Sequence, residues 1–360
     1  MASAAVRVYI VISPRLNNGL ADLYPIITPR IERSSDANNS MVTAAATVSL
    51  TGPLALQGRQ AARGLELWAS ADQIQLQIVD DAGSATTACN AYRRWLGGHV
   101  DLLLGPYGSG LVRQVGPVVA RQGALLWNHG GSADDLTRPL VVPVSAPAST
   151  YFRGAVELAH RRGLPRVVFT RGRGRFASAV VAGAHQRATE LGLAVQDVHP
   201  AELATAGPLT EAAVLIVGTF TEDLAAVEQI RAGPEPGLLG CVAAGLLEFG
   251  NRLGSKAEGV VGPVQWLSHA ATPQVGPAGA DFSHRYQSEN GEPPDYVAAQ
   301  AAAAGYLAAE AHRRRYEHHE LKQWKTTTML GKFALDQSWR HLGHSPITIE
   351  WRRGRQEPAT

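Results

Sequence analysis

This sequence has little cysteine, no long apolar run and almost no excess charge of either sign. Cys89 and Cys241 are its two cysteines, and they lie too far apart to form a disulfide framework, a zinc-binding spacing or a redox motif. No apolar run approaches the roughly 18 residues that a membrane-spanning helix needs. The 33 basic and 31 acidic residues give a formal net charge of +2, without the basic field of a nucleic-acid-binding protein. These absences predict a globular protein without a metal site, a membrane span or a nucleic-acid partner.

What the sequence does contain is a repeated alternation of strands and helices. From Thr43 onward, short apolar runs alternate with longer amphipathic stretches, which is the pattern of βαβ units in a parallel sheet. A second cycle of the same kind starts at Ala148. The fold class is therefore predicted to be α/β, with two doubly wound, three-layer lobes joined by a hinge of several crossing strands. The predicted strands lie near 44–50, 74–80, 100–105, 123–128, 165–170, 213–218 and 238–245.

The predicted boundaries divide the chain into three parts. Residues 1–42 are rich in Ser, Asn, Asp and Pro and are expected to be a poorly ordered N-terminal extension. The first lobe takes 43–147 plus a long Ala-rich helix within 278–320, and the second takes 148–272 plus 325–360. In that last segment, the strands on either side of Gly343–Ser345 are expected to pair as a closing hairpin.

Two loops that contain glycine and serine follow neighbouring predicted strands. GPYGSG (105–110) and WNHGGS (127–132) each come directly after a buried strand, so both lie at the carboxyl edge, where open α/β sheets bind ligands. Together they hold a carboxylate or an amide, because a carboxylate accepts several hydrogen bonds at once. Helix capping alone also explains such turns. The candidate donors are the hydroxyls of Ser109 and Ser132 and the backbone around Tyr107, Gly108, Gly130 and Gly131.

A third loop, TGPLALQG (51–58), opens the first predicted helix and contains Gln57. Free N–H groups at a helix start can hold an anionic or carbonyl group, although a plain strand-to-helix turn explains the same residues. His129, inside WNHGGS, is a candidate polar ligand contact or pH-sensitive partner.

The three loops, with IVDDAGSATTACNAYRRWL between the first two and GHSPITIEWRRG near the end, resemble the type I periplasmic binding proteins. Within that superfamily the chain looks like the branched-chain amino acid and amide receptors of ABC transporters, over about 43–355. The resemblance implies two lobes that close around a small molecule, a permease as partner, a monomeric state and no cofactor. The family binds an α-carboxylate at the positions of Ser109 and Ser132, and with the backbone of Tyr107 and Gly130.

The second lobe matches the family less closely. Phe176 and Phe220 stand at positions that are often aromatic in the family and would press an apolar wall onto the ligand, although core packing explains them equally well. The amino-acid binders carry a carboxylate for the ligand ammonium where this chain has AAGLL (243–247). An ammonium buried there without a partner would cost several kcal/mol, so simple amino acids are expected to bind poorly. The acids that could replace this carboxylate are Glu222, Asp223 and Glu248. A basic loop at 171–175 brings Arg171, Arg173 and Arg175 to a strand end, where they either face the cleft and an anionic group of the ligand or form a solvated surface loop.

Three functions compete at this point. A transport receptor captures a solute outside the cytoplasm, in the periplasm or at the cell surface, and hands it to a permease. A cytoplasmic ligand sensor would use the same scaffold. This alternative remains because Pro14 and Arg15 stand where the cleavage site of an export signal is expected. An enzyme is the least favoured, since the sequence has no nucleophile elbow, phosphate-binding loop or zinc-protease motif. The chain is therefore interpreted as a binding protein and not as an enzyme.

Overall fold

The computed structural model describes residues 8–11, 41–199, 202 and 208–360. The first of its two large sheets is parallel, with the strand order β1-β3-β2-β4-β5-β6. Because all of its neighbouring strands run in the same direction, their carboxyl ends meet at one edge. Its strands are β1 (Val8–Val11), β2 (Thr43–Val48), β3 (Gln75–Asp80), β4 (Leu102–Leu104), β5 (Leu126–Asn128) and β6 (Val141–Pro143).

The second large sheet has the order β15-β14-β11-β10-β9-β7-β8. Its central strands are parallel, whereas β14 and β15 add an antiparallel edge. A separate ribbon pairs β12 with β13. These strands are β7 (Arg166–Arg171), β8 (Ala194–Val198), β9 (Ala212–Val217), β10 (Leu238–Cys241), β11 (Val260–Val264), β12 (Lys325–Thr328), β13 (Gly331–Ala334), β14 (Ile347–Arg352) and β15 (Arg355–Pro358).

Ten α-helices lie in the described part of the chain, and they pack on the sheets as the alternating pattern predicts. No helix among these residues is long and apolar enough to cross a membrane. The helices are α1 (Ala55–Asp72), α2 (Ala85–Leu96), α3 (Ser109–Ala120), α4 (Arg153–Arg161), α5 (Arg175–Glu190), α6 (Phe220–Arg231), α7 (Leu247–Leu253), α8 (Gly279–Asn290), α9 (Tyr296–Arg313) and α10 (His318–Gln323).

Helix α9 lies at the centre of the first lobe because its small residues allow close contact with α1. A Cβ on Gly305 would lie 2.2 Å from Cδ2 of the fully buried Trp68, and a Cβ on Gly64 would lie 2.2 Å from the carbonyl oxygen of Ala298. Larger side chains at these positions would force the two helices apart. The Ala-rich stretch therefore forms a core helix that is buried almost all round.

The two-lobed α/β architecture predicted from the alternation is confirmed. The chain crosses between the two sheets three times, after β6, after β11 and between β13 and β14. A buried hydrogen bond joins the first two crossings, from the N–H of Ala146 to Oε1 of Gln265 at 3.0 Å. Closure of the lobes must therefore bend several segments together.

Four details differ from the expectation. The prediction of a closing hairpin around Gly343–Ser345 is wrong, because β13 pairs with β12, whereas β14 pairs with β11 and β15. Segment 325–360 was predicted to belong to the second lobe, but its first part, the ribbon β12–β13, packs on the core of the first lobe through Phe333. The long helix is divided, because Arg315 has a left-handed φ of 54° and a capping box at Glu317 starts α10. Most of the predicted extension 1–42 lies outside the described residues, but Val8–Val11 is a strand in register with β3.

Candidate functional site

The loops after β4 and β5 lie side by side at the carboxyl edge of the first sheet. Tyr107 and Gly130 form a parallel bridge, and the N–H of Gly108 donates to the carbonyl of Gly130 at 3.0 Å. Gly108 has a φ of 103°, and a Cβ on Gly130 would lie 2.5 Å from Cα of Tyr107. Glycine is required at both positions, in one case by the backbone angle and in the other by the close approach of two chains.

The structure brings Ser109 and Ser132 together, as the two motifs predict. The Ser109 hydroxyl accepts hydrogen bonds from the N–H groups of Ser132, at 3.2 Å, and Ala133, at 3.1 Å. The Ser132 hydroxyl lies 2.8 Å from the hydroxyl of Tyr151 and 3.3 Å from that of Ser145. Ser109 therefore ties the two loops to each other, whereas Ser132 belongs to a row of three hydroxyls.

The remaining polar candidates of the first lobe have different surroundings. The N–H groups of Gly130 and Gly131 both donate to Oδ1 of Asn128, at 3.3 and 2.8 Å. The side chain of Gln57 is largely buried, and its Oε1 has no hydrogen-bond partner among the described residues. A buried acceptor without a partner is costly, so Gln57 is available to a ligand that donates a hydrogen bond.

His129 lies within the first lobe. Its ring is fully buried beside Gly105, and neither ring nitrogen has a hydrogen-bond partner among the described residues. Burial lowers the pKa of His129 to about 4, because the interior disfavours the charged imidazolium. The imidazole is therefore neutral near pH 7 and has no exposed surface in this conformation.

Phe176 and Phe220 both make contacts across the two lobes. Phe176, on α5, packs against the cores of both lobes and meets the ring of Tyr151 edge to face, with centroids 5.4 Å apart and planes at 82°. Phe220 begins α6 and also packs against both cores. Both rings thus pack against cores of the two lobes, and their predicted contact with a ligand stays a prediction.

One residue of the basic loop reaches the first lobe. Arg175 Nη1 lies 2.8 Å from Oδ2 of Asp135, and Arg113 donates to both oxygens of the same carboxylate, at 2.9 and 2.7 Å. The hydrogen bond from Arg113, with further contributions from Arg175, lowers the pKa of Asp135 to about 2. Of the other two arginines, Arg171 donates to the hydroxyl of Ser178, and Arg173 is exposed.

The acids near the AAGLL turn have distinct roles. Glu222 accepts from the N–H of Thr219 at 2.7 Å in a capping box, and Glu248 is paired within α7 by Asn251 and Arg252. Asp223 is buried and accepts from the N–H of Ala243, in that turn, at 2.9 Å. Burial raises the pKa of Asp223 to about 7. Asp295, which precedes α9, is also buried and accepts from the N–H of Leu247, in the same turn, at 3.0 Å. The structure thus brings two acids to this turn, Asp223 and Asp295, and both cap its backbone N–H groups.

Three tyrosine hydroxyls lie close to one another where the lobes meet, a feature that the sequence analysis missed. Tyr107 follows β4, Tyr151 follows the first crossing and Tyr296 begins α9. Burial raises the pKa of all three phenols. Tyr151 raises the pKa of Tyr107 further, and both Tyr107 and Tyr151 raise that of Tyr296. All three therefore stay protonated and can donate hydrogen bonds. The motif GPYGSG marked the backbone of Tyr107, but no sequence pattern linked the three hydroxyls, because their proximity depends on the packing of the two lobes.

Comparison with known proteins agrees with this architecture. A family model described as periplasmic binding protein matches residues 41–328. A Leu/Ile/Val-binding protein of Rhizobium johnstonii is 27% identical over 106 residues, which is 27% of this chain and 29% of that relative's length.

Two solved structures illustrate the similarity in fold. A leucine-binding protein from Thermotoga maritima, at 18% identity, covers 89% of this chain and 98% of its own, with a TM-score of 0.77. A solute-binding protein of an ABC transporter from R. palustris, solved with benzoate, is 17% identical and covers 89% of this chain and 95% of its own, with a TM-score of 0.73. With two α/β lobes, three crossings and a family match over most of its length, the chain belongs to the periplasmic binding protein family.

Proposed function

We propose that this protein is a solute-binding receptor that captures a small carboxylate- or amide-bearing molecule between its lobes. It would deliver this solute, as a monomer outside the cytoplasm, to an ABC transporter permease. The observation that carries the proposal is the set of neutral hydroxyl donors at the lobe boundary, formed by Ser132, Tyr107, Tyr151 and Tyr296. Such donors suit an oxygen that accepts several hydrogen bonds, as a carboxylate or an amide carbonyl does.

The charges near the boundary support the same class of ligand. Glu222 and Glu248 are held by their own helices, and Asp223 caps the turn that replaces the family's acid. Asp223 and Asp295 both cap that turn, and burial raises the pKa of each to about 7. A ligand ammonium enclosed there would lose its water without meeting a fully ionised carboxylate, which costs about 3–5 kcal/mol. Amino acids are therefore expected to bind at least a hundredfold more weakly than the matching acids that lack the amino group.

The apolar rings select the body of the ligand. Phe176 and Phe220 pack between the two cores, so their surroundings are apolar. A ligand with an aliphatic or aromatic body would make contacts of the same kind with these rings. Two proteins of similar fold have been solved with molecules of both kinds, one from Desulfitobacterium hafniense with leucine and one from R. palustris with benzoate. Benzoate and branched short-chain acids are accordingly the first compounds to test.

The deciding experiment is calorimetry with a matched pair of ligands. Leucine and 4-methylpentanoate differ only in the amino group, and benzoate and benzamide test the aromatic body with and without charge. We expect 4-methylpentanoate to bind more tightly than leucine and at least one of the aromatic compounds to bind. Micromolar binding of leucine, about −8 kcal/mol, would overturn the selectivity, and the failure of every compound to bind would overturn the ligand class.

A further inference from the structure

Tyr151 connects the two lobes at the point where the serine loops meet. It directly follows the short 3-10 helix at Ala148–Thr150 and belongs to the core of the second lobe. Its hydroxyl lies 2.8 Å from that of Ser132, which belongs to the first lobe. Tyr151 is therefore a residue of the second lobe whose polar atom reaches the predicted oxygen-binding loops of the first.

The ring of Tyr151 is held firmly in this position. It is 6% exposed, and its edge-to-face contact with Phe176 has a centroid distance of 5.4 Å. Aromatic pairs of this geometry contribute beyond their buried area. The hydroxyl is thus placed by packing, and the hydrogen bond to Ser132 is not needed to orient the ring.

The row of hydroxyls has a donor to spare. Tyr151, Ser132 and Ser145 carry three O–H hydrogens, and the two contacts between them, at 2.8 and 3.3 Å, use two of these. The third hydrogen is available to an outside acceptor. Hydroxyl hydrogens rotate freely, so Tyr151 and Ser132 can both reorient their O–H groups and donate hydrogen bonds to one ligand oxygen.

We propose that Tyr151 is a specificity-determining residue of the ligand site, which with Ser132 donates hydrogen bonds to one oxygen of the ligand's carboxylate or amide. This inference rests on the proposed function and adds a contact from the second lobe. Because the two donors belong to different lobes, the ligand oxygen is fully bonded only when the lobes are closed. A ligand without such an oxygen would leave buried hydroxyls incompletely paired on closure and would bind more weakly.

The test compares Tyr151→Phe with the wild-type protein by calorimetry, using benzoate, 4-methylpentanoate and, as a ligand without the carboxylate, benzyl alcohol. The matched control is Tyr316→Phe, which removes a phenol that contacts Arg314 far from the lobe boundary. We expect Tyr151→Phe to weaken carboxylate binding by about ten- to a hundredfold, as for the loss of one hydrogen bond to a charged group. The affinity for benzyl alcohol should change by less than threefold in Tyr151→Phe, and the control variant should bind all three compounds as the wild-type protein does.

Each other outcome counts against the inference. If wild type and Tyr151→Phe bind the acids equally well, Tyr151 is not a ligand contact and the proposed function stands without it. If Tyr151→Phe weakens the binding of all three compounds by the same factor, the role of Tyr151 is structural and the inference is wrong. If wild type binds none of them, the proposed function fails and the inference with it. Should Tyr151→Phe not fold, Tyr151→Gln keeps a hydrogen-bond donor and must retain the preference for acids over the alcohol.

Discussion

The contact between α1 and α9 gives a prediction of stability that can be worked from the structure. In Gly305→Ala, the new Cβ would lie 2.2, 2.5 and 2.7 Å from three atoms of the Trp68 indole, where ordinary carbon contacts are about 3.5–4.0 Å. The indole is rigid and fully buried, so more than about 1 Å of movement has to be shared between the two helices. Overpacking costs about 1–3 kcal/mol, and against a rigid, buried ring we expect the upper part of that range, about 2–3 kcal/mol. The better helix propensity of alanine returns about 1 kcal/mol.

We therefore expect Gly305→Ala to lower the free energy of unfolding of the first lobe by about 1–2 kcal/mol. Urea denaturation followed by circular dichroism measures this change. Gly110→Ala is the matched control, because Gly110 also lies in a helix but a Cβ there meets nothing within 4 Å; its stability should stay the same or rise slightly. The double variant with Trp68→Phe should lose less than the sum of the two single variants, since the smaller ring makes room. A Gly305→Ala protein as stable as wild type would refute the packing argument.

Two further predictions concern charge. Arg175→Ala removes the ion pair that joins the lobes at Asp135, so benzoate binding should weaken a few-fold at low ionic strength and hardly at all in 1 M salt; Arg173→Ala, in the same loop, is the control, and an equal effect of both variants would contradict a specific pair. Burial lowers the pKa of His129 to about 4, so His129 stays neutral in the folded protein while the unfolded chain takes up a proton near pH 6.5. Its own contribution to the free energy of unfolding should therefore fall as the pH drops from about 6.5 to 4, by on the order of 3 kcal/mol. His129→Gln should flatten this dependence in urea titrations at pH 7.5 and 5, and an unchanged slope would show that His129 is not the group responsible.

The two lobes and the proximity of the serine loops could be predicted from the sequence alone. Strand and helix periodicities are local properties, and parallel strands bring their carboxyl ends to one edge whatever the details of packing. GPYGSG and WNHGGS follow neighbouring strands of that edge, so Ser109 and Ser132 had to lie near each other. The same reasoning explains why the glycines in these loops were informative, since close approach of two chains restricts the residue type.

The contacts between side chains of different lobes could not be predicted in this way, because they depend on how the lobes pack. Tyr151 reaches Ser132, and Arg175 reaches Asp135, over a boundary that no local pattern describes. The ribbon formed by β12 and β13 replaced the expected hairpin for a similar reason, because strand partners are chosen by packing, and Phe333 packs on the first lobe's core. Contacts between residues distant in sequence depend on the summed free energy of the whole fold, and the sequence pattern of a single segment contains too little of that sum to specify them.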